Sequence, residues 1–125
     1  MNALIVDDSR AMRTILKRTL IELGFDVHEA GDGAEAMAQL ERLGSVDVVL
    51  VDWNMPVMDG LTFVKQVRSQ PMYERMRLVM VTSESEPQRI LRALMAGADE
   101  YATKPITADG LADKLDLVGL PEREP

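Results

Sequence analysis

Short apolar runs that end at charged residues are the feature that most constrains the fold of this chain. Leu4–Val6 is followed by Asp7 and Asp8, and Val48–Val51 is followed by Asp52. Runs of this length and composition are typical of strands that are buried on both faces of a parallel sheet. In an open α/β sheet the carboxyl ends of parallel strands share one edge, where such folds bind their ligands. Residues that are distant in the sequence are therefore predicted to meet in one site.

Segments with helical periodicity follow these runs, so that strand and helix patterns alternate five times along the chain. The predicted strands are Leu4–Val6, Phe25–Ala30, Val46–Val51, Arg77–Val81 and Glu100–Thr103. The predicted helices are Arg10–Leu23, a helix capped by Asp32 that stops at Gly44, Leu61–Arg68, a helix from Ser85 that stops at Gly97, and Thr107–Val118. Five βα units imply a parallel sheet with helices on both faces. We therefore expect one α/β domain over residues 1–120, followed by a flexible tail over residues 121–125.

Apolar stripes that are expected to face the sheet occur in the first four helices. In the first helix these residues are Met12, Ile15, Leu16, Leu20 and Leu23, and in the fourth helix they are Ile90, Leu91, Leu94 and Met95. Their spacing of three and four residues places each set on one side of its helix.

Composition excludes several classes of protein. The 125 residues carry a net charge of −7, from 14 basic and 21 acidic side chains, which disfavours direct binding to nucleic acid or anionic membranes. Cysteine is absent, so that disulfides, thiol nucleophiles and thiolate metal sites are excluded. No apolar stretch approaches the ~20 residues that span a bilayer, and the first residues lack the pattern of a signal peptide. We expect a cytoplasmic protein that does not bind membranes.

The residues at the strand ends indicate metal and phosphoryl chemistry. Asp7, Asp8 and Asp52 would repel one another unless a cation lay between them, and a set of hard oxygen ligands favours Mg²⁺, with Mn²⁺ as the alternative. An aspartate carboxylate can act as a nucleophile and form an aspartyl-phosphate. Lys104 and the Thr82 hydroxyl could hold phosphoryl oxygens. Each acid by itself is as often a helix cap or a turn residue, whereas the whole set is much harder to obtain by chance.

Four segments carry a family resemblance: L-I-V-D-D-S-R, V-V-L-V-D-W-N-M-P-V-M-D-G, V-M-V-T-S-E and Y-A-T-K-P. Together they resemble the receiver domain of two-component response regulators, over residues Met1 to about Leu120. The resemblance implies a flavodoxin-like doubly wound (βα)5 fold with a five-stranded parallel sheet. It also implies the strand order 2-1-3-4-5, which is the known order of this fold and does not follow from the residue pattern.

The resemblance also assigns roles to individual residues. Asp52 matches the phosphoacceptor, and Asp7 and Asp8 match the acidic pair that holds Mg²⁺ together with Asp52. The backbone carbonyl of Asn54 matches the remaining protein ligand of the metal. Lys104 precedes Pro105 through a peptide bond that is typically cis in this family.

Three further residues are assigned to phosphoryl binding and switching. Thr82 and Lys104 match the hydroxyl and the ammonium that hold the phosphoryl group. Tyr101 matches an aromatic switch residue, which is expected to rotate inward when Thr82 is drawn toward the phosphoryl group. Asn54 and Glu84 together are the combination seen in chemotaxis regulators, so that we expect the phosphorylated form to hydrolyse itself over seconds to minutes.

The expected partners follow from the same resemblance. A histidine kinase would donate the phosphoryl group, and a downstream protein would bind the face formed by helix 4, strand 5 and helix 5. The protein is expected to be a monomer or a transient, phosphorylation-dependent dimer. It is not expected to be an enzyme beyond catalysing its own phosphotransfer and dephosphorylation. A chemotaxis-type output is favoured.

Several alternatives remain open from the sequence. Met1 and the ending L-D-L-V-G-L favour a complete single-domain regulator, but a receiver fragment of a longer DNA-binding regulator or a phosphorelay intermediate would have the same motifs. A different class of protein, a Mg²⁺-dependent phosphatase with an aspartate nucleophile, usually has a D-x-D pattern after the first strand and a cap domain. A flavodoxin-like flavin protein needs a Ser/Thr/Gly-rich phosphate loop, and Asp7 and Asp8 would repel a phosphate there.

Overall fold

The computed structural model describes residues 1–83 and 85–120, and it contains the five predicted βα units. The strands are β1 (Asn2–Val6), β2 (Asp26–Ala30), β3 (Val48–Val51), β4 (Arg77–Thr82) and β5 (Glu100–Thr103). The helices are α1 (Arg10–Glu22), α2 (Gly33–Leu43), α3 (Gly60–Arg68), α4 (Pro87–Ala96) and α5 (Ala108–Leu117). A short 3-10 helix, Pro71–Tyr73, was not predicted. The expected tail at 121–125 lies outside the described residues.

The five strands form one sheet in the order β2-β1-β3-β4-β5, and every neighbouring pair is parallel. This confirms both the fold class and the expected strand order. The central strand β3 is buried at all four residues, whereas most residues of the edge strand β2 are partly or fully exposed. The apolar content of each strand thus follows its position in the sheet, because only the inner strands have neighbours on both sides.

Helices cover both faces of the sheet and form two cores. On one face α2, α3 and α4 pack over alternate strand residues that include Leu4, Val49 and Leu78. On the other face α1 and α5 pack over the intervening residues, such as Ile5 and Leu50. The longest helix has 13 residues. No helix within residues 1–83 and 85–120 is long and apolar enough to cross a membrane.

Side-chain caps begin four of the helices. Ser9 and Asp32 accept hydrogen bonds from backbone N–H groups in the first turns of α1 and α2, as the sequence predicts. Thr107 caps α5 in the same way. Asp59 caps α3 by accepting from the Thr62 N–H at 2.8 Å, a role that we did not predict. These caps fix where each helix begins after the loop that precedes it.

The predicted apolar stripe of α4 is wrong in part. Leu91, Leu94 and Met95 are 57%, 40% and 79% exposed, and the residue of α4 that is fully buried is Ala93. Ile15 of α1 is likewise exposed, although Leu16 and Leu20 are buried as predicted. Helical spacing identifies an apolar side of a helix, but when a short helix packs at the rim of a sheet, only part of that side is buried. Ile90 of the predicted stripe packs against the core, whereas the other three residues of the stripe face solvent.

Gly60, at the start of α3, allows a close approach of two segments, and replacing it with alanine tests this packing. A Cβ at this position would overlap the backbone carbonyl oxygen of Asp52. Helix propensity alone predicts that Gly60→Ala stabilises the protein by up to about 1 kcal/mol. The overlap predicts the opposite sign, a loss of roughly 1–3 kcal/mol, measured by urea unfolding.

Gly44→Ala provides the matched control for Gly60→Ala. Gly44 ends α2 with φ +82°, and a Cβ there would meet no atom within 4 Å. Its replacement should cost only the strain of the left-handed conformation, about 1–2 kcal/mol. Stabilisation of the protein by Gly60→Ala would contradict the close approach of α3 to Asp52.

Candidate functional site

The candidate site lies at the carboxyl edge of the sheet, where backbone hydrogen bonds fix its residues. Asp7 follows β1 and donates its N–H to the Ala30 carbonyl at 3.1 Å, while Asp52 follows β3 and donates to the Val6 carbonyl at 2.9 Å. Lys104 follows β5, and its N–H donates to the Thr82 carbonyl at 2.8 Å. Each of these three residues thus continues the pairing of its strand by one residue.

Lys104 joins two of the acids. Its Nζ lies 2.7 Å from Asp7 Oδ2 and 3.1 Å from Asp52 Oδ2. The side chains of Asp7 and Asp52 are only 2% and 9% exposed, and that of Lys104 is 16% exposed. To reach both acids, the lysine crosses the end of β4, which lies between β3 and β5. The Lys104–Pro105 peptide bond is cis, as the resemblance implies.

The charge state of Lys104 follows from two opposing effects. Burial acts to lower the pKa of the ammonium, because it disfavours the charged form. The hydrogen bond to Asp7, together with the negative charges of Asp52 and Asp7, outweighs burial and raises the pKa above the ordinary value of a lysine. Lys104 is therefore a cation at neutral pH.

The three acids form a cluster that could hold a metal ion. Asp7, Asp8 and Asp52 each offer a carboxylate oxygen, and these oxygens lie within 4.8 Å of one another. Asp52 Oδ1 is buried and has no hydrogen-bond partner among the described residues. A buried carboxylate oxygen without a partner is costly, and a bound cation would satisfy it. The donor set, which is entirely carboxylate oxygen, suits a hard divalent cation.

Thr82 and Tyr101 complete the inner part of the site. The Thr82 side chain is fully buried at the end of β4, and Thr82 pairs with Thr103 in the neighbouring strand. Tyr101 is 6% exposed and belongs to the core under α4. The structure thus has the Tyr101 ring in the inward position that the sequence hypothesis assigns to one of its two states. An outward position of Tyr101 would thus be the second state that this hypothesis requires.

The loop between β3 and α3 begins at Asp52. Asn54 is exposed in this loop, two residues after Asp52. Trp53 is buried, and the Arg89 guanidinium of α4 lies 5.6 Å from the centre of its ring. Val57 has φ +68°, an unusual conformation for a β-branched residue, and is 82% exposed. Met58 packs against Gly33 at the start of α2, where a Cβ would come within 2.8 Å of it.

The contacts that Arg13 and Asp59 make near the site were not predicted from the sequence. Arg13 donates to the backbone carbonyl of Asp7, and no pattern in the sequence signals a contact of this kind. Asp59 could have been recognised as a cap, because it directly precedes the helical pattern. Glu84, which was expected to bear on the lifetime of phosphorylation, lies outside the described residues.

The bridging role of Lys104 predicts a pH-dependent loss of stability in Lys104→Met. Because its folded-state pKa is raised, the ammonium contributes fully below the pKa of an unfolded lysine, and the contribution is lost as pH rises through the folded-state value. In metal-free buffer, urea unfolding should show Lys104→Met to be less stable than wild type at about pH 8. The difference should shrink at about pH 11.5.

Lys65→Met is the matched control, because Lys65 is an exposed lysine on α3. Its effect on the free energy of unfolding should be small at both pH values. A difference between Lys104→Met and wild type that stays constant over the pH range would contradict the bridging role.

The chain matches the family model "Response regulator receiver domain" over residues 3–116. It is 43% identical over 119 residues to chemotaxis protein CheY1 of Helicobacter pylori, covering 94% of this chain and 96% of that protein. It is 46% identical over 119 residues to the chemotaxis protein CheY homolog of Campylobacter jejuni, covering 94% of this chain and 92% of that protein.

Solved structures give the same result. Chemotaxis response regulator CheY4 of Vibrio cholerae superposes with a TM-score of 0.87 at 37% identity, covering 94% of this chain and 97% of that one. A CheX-CheY-BeF3-Mg²⁺ complex from Borrelia burgdorferi has a TM-score of 0.89 at 27% identity, covering 96% of this chain and 90% of that one. With its fold, its acidic cluster and these relatives, the chain belongs to the response regulator receiver family of two-component signal transduction.

Proposed function

We propose that this protein accepts a phosphoryl group on Asp52 from the phosphohistidine of a histidine kinase and signals by phosphorylation-dependent protein binding. One observation carries the proposal. Among residues 1–83 and 85–120, the buried polar or charged residues are Asp7, Asp52 and Thr82, and all three lie at the carboxyl edge of the sheet. A core does not bury such groups without a compensating interaction. Lys104 supplies part of that compensation.

The arrangement suits phosphoryl transfer to an aspartate. A carboxylate oxygen of Asp52 forms a bond to phosphorus, while the P–N bond to the histidine breaks and the imidazole keeps the electron pair and takes up a proton. In this proposal Lys104 and Thr82 hold oxygens of the transferred group. Attack of water on the aspartyl-phosphate then returns the carboxylate and releases inorganic phosphate. The protein catalyses only its own phosphorylation and dephosphorylation in this proposal, and does not turn over other substrates.

The metal ion in this proposal is Mg²⁺, with Mn²⁺ as a substitute. Asp7, Asp8, Asp52 and the backbone carbonyl of Asn54 would hold it, and the unpartnered Asp52 Oδ1 supports this assignment. When bound, Mg²⁺ would reduce the repulsion between the acids and the anionic phosphoryl group. The BeF3 and Mg²⁺ named in the Borrelia burgdorferi complex support the same chemistry for a relative.

The output would use the face formed by α4, β5 and α5. The exposed apolar residues Leu91, Leu94 and Met95 on α4 are the kind of surface that a protein partner can cover. We propose a chemotaxis-type partner because the curated relatives are named as chemotaxis proteins. Thr82 and Tyr101 would link this face to Asp52 by a shift between two populated conformations. In this proposal the protein is a monomer or a transient dimer.

Phosphorylation at Asp52 can be tested with acetyl phosphate and Mg²⁺, followed by intact mass spectrometry. Wild type should gain the mass of one phosphoryl group, and Asp52→Asn should gain none because its amide is not a nucleophile. Chelation of Mg²⁺ should abolish the mass gain of wild type.

Asp59→Asn is the control for this experiment. Asp59 lies in the same loop but caps α3, and asparagine caps as well as aspartate, so that this variant should be phosphorylated like wild type. A phosphoryl group on Asp52→Asn would place the acceptor elsewhere. Repeated turnover of p-nitrophenyl phosphate, without a stable mass gain, would favour the phosphatase alternative.

Thr82→Ala should separate phosphorylation from switching. The variant keeps Asp52 and Lys104, and should still bind beryllium fluoride with Mg²⁺ as a phosphoryl mimic. Without the hydroxyl, however, the bound group has no means of drawing β4 inward. Amide chemical shifts should therefore change throughout α4 and β5 in wild type, but only next to Asp52 in the variant.

Thr82→Ser keeps the hydroxyl and should restore the changes in α4 and β5. If Thr82→Ala shows the wild-type pattern of chemical shifts, Thr82 does not couple the site to the output face.

A further inference from the structure

Arg13, in the second turn of α1, contacts the acidic cluster from outside it. Its Nη1 donates to the backbone carbonyl of Asp7 at 2.6 Å, and its Nε donates to Glu29 Oε1 at 3.3 Å. The side chain is 19% exposed, so that much of it is removed from solvent. None of the roles assigned above belongs to this residue.

Arg13 completes the set of contacts that fixes Asp7. The N–H of Asp7 donates to Ala30, its Oδ1 accepts from the Ser9 N–H at 2.8 Å, and its Oδ2 accepts from Lys104 at 2.7 Å. The carbonyl of Asp7 belongs to the same planar peptide unit as the N–H of Asp8. Holding that carbonyl therefore sets the orientation of the peptide that precedes Asp8, and with it the position from which the Asp8 side chain starts.

Glu29 holds Arg13 in place. It lies on the edge strand β2 and also pairs with Lys17, at 3.6 Å. The backbone carbonyl of Glu29 accepts a hydrogen bond from the Gln39 side chain of α2 at 3.2 Å. The planar guanidinium is thus fixed by two contacts in different directions, a geometry that a lysine ammonium does not reproduce.

We propose that Arg13 is a positioning residue for the metal-binding acids, which orients the Asp7–Asp8 peptide so that both carboxylates can share one divalent cation. The inference rests on the proposed function, because it requires that the cluster binds Mg²⁺. A positioning role and a purely electrostatic role of Arg13 predict opposite effects of its removal on the affinity for Mg²⁺. A cation near a metal site repels the metal, so removing the charge of Arg13 should by itself strengthen Mg²⁺ binding. Loss of positioning should weaken it.

The test is a Mg²⁺ titration that is followed by the fluorescence of Trp53, the single tryptophan, which lies next to Asp52. Arg13→Met should raise the dissociation constant about tenfold, the lower end of the effect that outer-shell partners have on metal sites. Arg13→Lys keeps the charge but should recover only part of the affinity. Glu29→Gln weakens the anchor of Arg13 and should give a smaller loss.

Lys17→Met is the matched control. It also removes one cation that pairs with Glu29, but it leaves the hydrogen bond from Arg13 to the Asp7 carbonyl in place. The dissociation constant of this variant for Mg²⁺ should therefore stay the same or fall slightly. Urea unfolding in metal-free buffer verifies that each variant is folded. If Arg13→Met does not fold, Glu29→Gln decides, and unchanged affinity in that variant would overturn the proposal.

Two negative results are distinguishable. If wild type itself shows no Mg²⁺-dependent change in fluorescence and no phosphorylation by acetyl phosphate, the proposed function fails and the positioning role fails with it. If wild type binds Mg²⁺ and Arg13→Met binds it equally or more tightly, only the positioning role of Arg13 is overturned.

Discussion

Two carboxylates, those of Asp7 and Asp52, are buried at the ends of adjacent strands, and the ammonium of Lys104 contacts both of them. Burying like charges side by side is strongly unfavourable unless a cation is present. Lys104 can supply that cation only if β5 is correctly placed beyond β4, because its side chain crosses the end of that strand. The arrangement of charges therefore requires β1, β3, β4 and β5 in their observed order, and it explains why residues from three separate strand ends depend on one another.

This arrangement satisfies the acids only in part. Lys104 contacts Oδ2 of Asp52, while Oδ1 of the same carboxylate has no partner among the described residues. A core selected for stability alone would not keep such an atom. Buried polar atoms without a partner are expected where a protein retains a function at the expense of stability. The incomplete compensation is what leaves the cluster able to take up a further cation.

Much of the fold could be predicted from the sequence, because the relevant signals are local. Buried strands follow from the apolar runs, and the starts of α1 and α2 follow from their caps Ser9 and Asp32. Strand order could not be obtained in this way, since five βα units are compatible with several orders, and it came from the family resemblance. The same holds for the proposed role of Asn54, whose position in the loop carries no chemical signal of its own.

Two of the errors, the apolar stripe of α4 and the missed Arg13, have the same physical origin. The spacing of Leu91, Leu94 and Met95 correctly places them on one side of a helix, but it does not specify what lies opposite that side. Arg13 was missed for the same reason, because its partner is a backbone carbonyl, which every residue has. Periodicity is a property of one element, whereas exposure and backbone contacts depend on how elements are placed relative to one another.

The two ends of α4 are attached to different parts of the molecule, and this bears on how the site could influence the exposed face. At its carboxyl end, Arg68 of α3 donates to the Gly97 carbonyl at 2.9 Å and pairs with Asp99 at 2.8 Å. A Cβ at Gly97 would overlap the Arg68 side chain, so that this turn is tightly packed. Near its amino end, Arg89 stacks over Trp53, the residue next to Asp52. A change at Asp52 therefore has a route to the amino end of α4 through Trp53 and Arg89, whereas the carboxyl end of α4 is attached to α3. Under the proposed switch between two conformations, this route would couple the site to the exposed face of α4 without a change in the sheet.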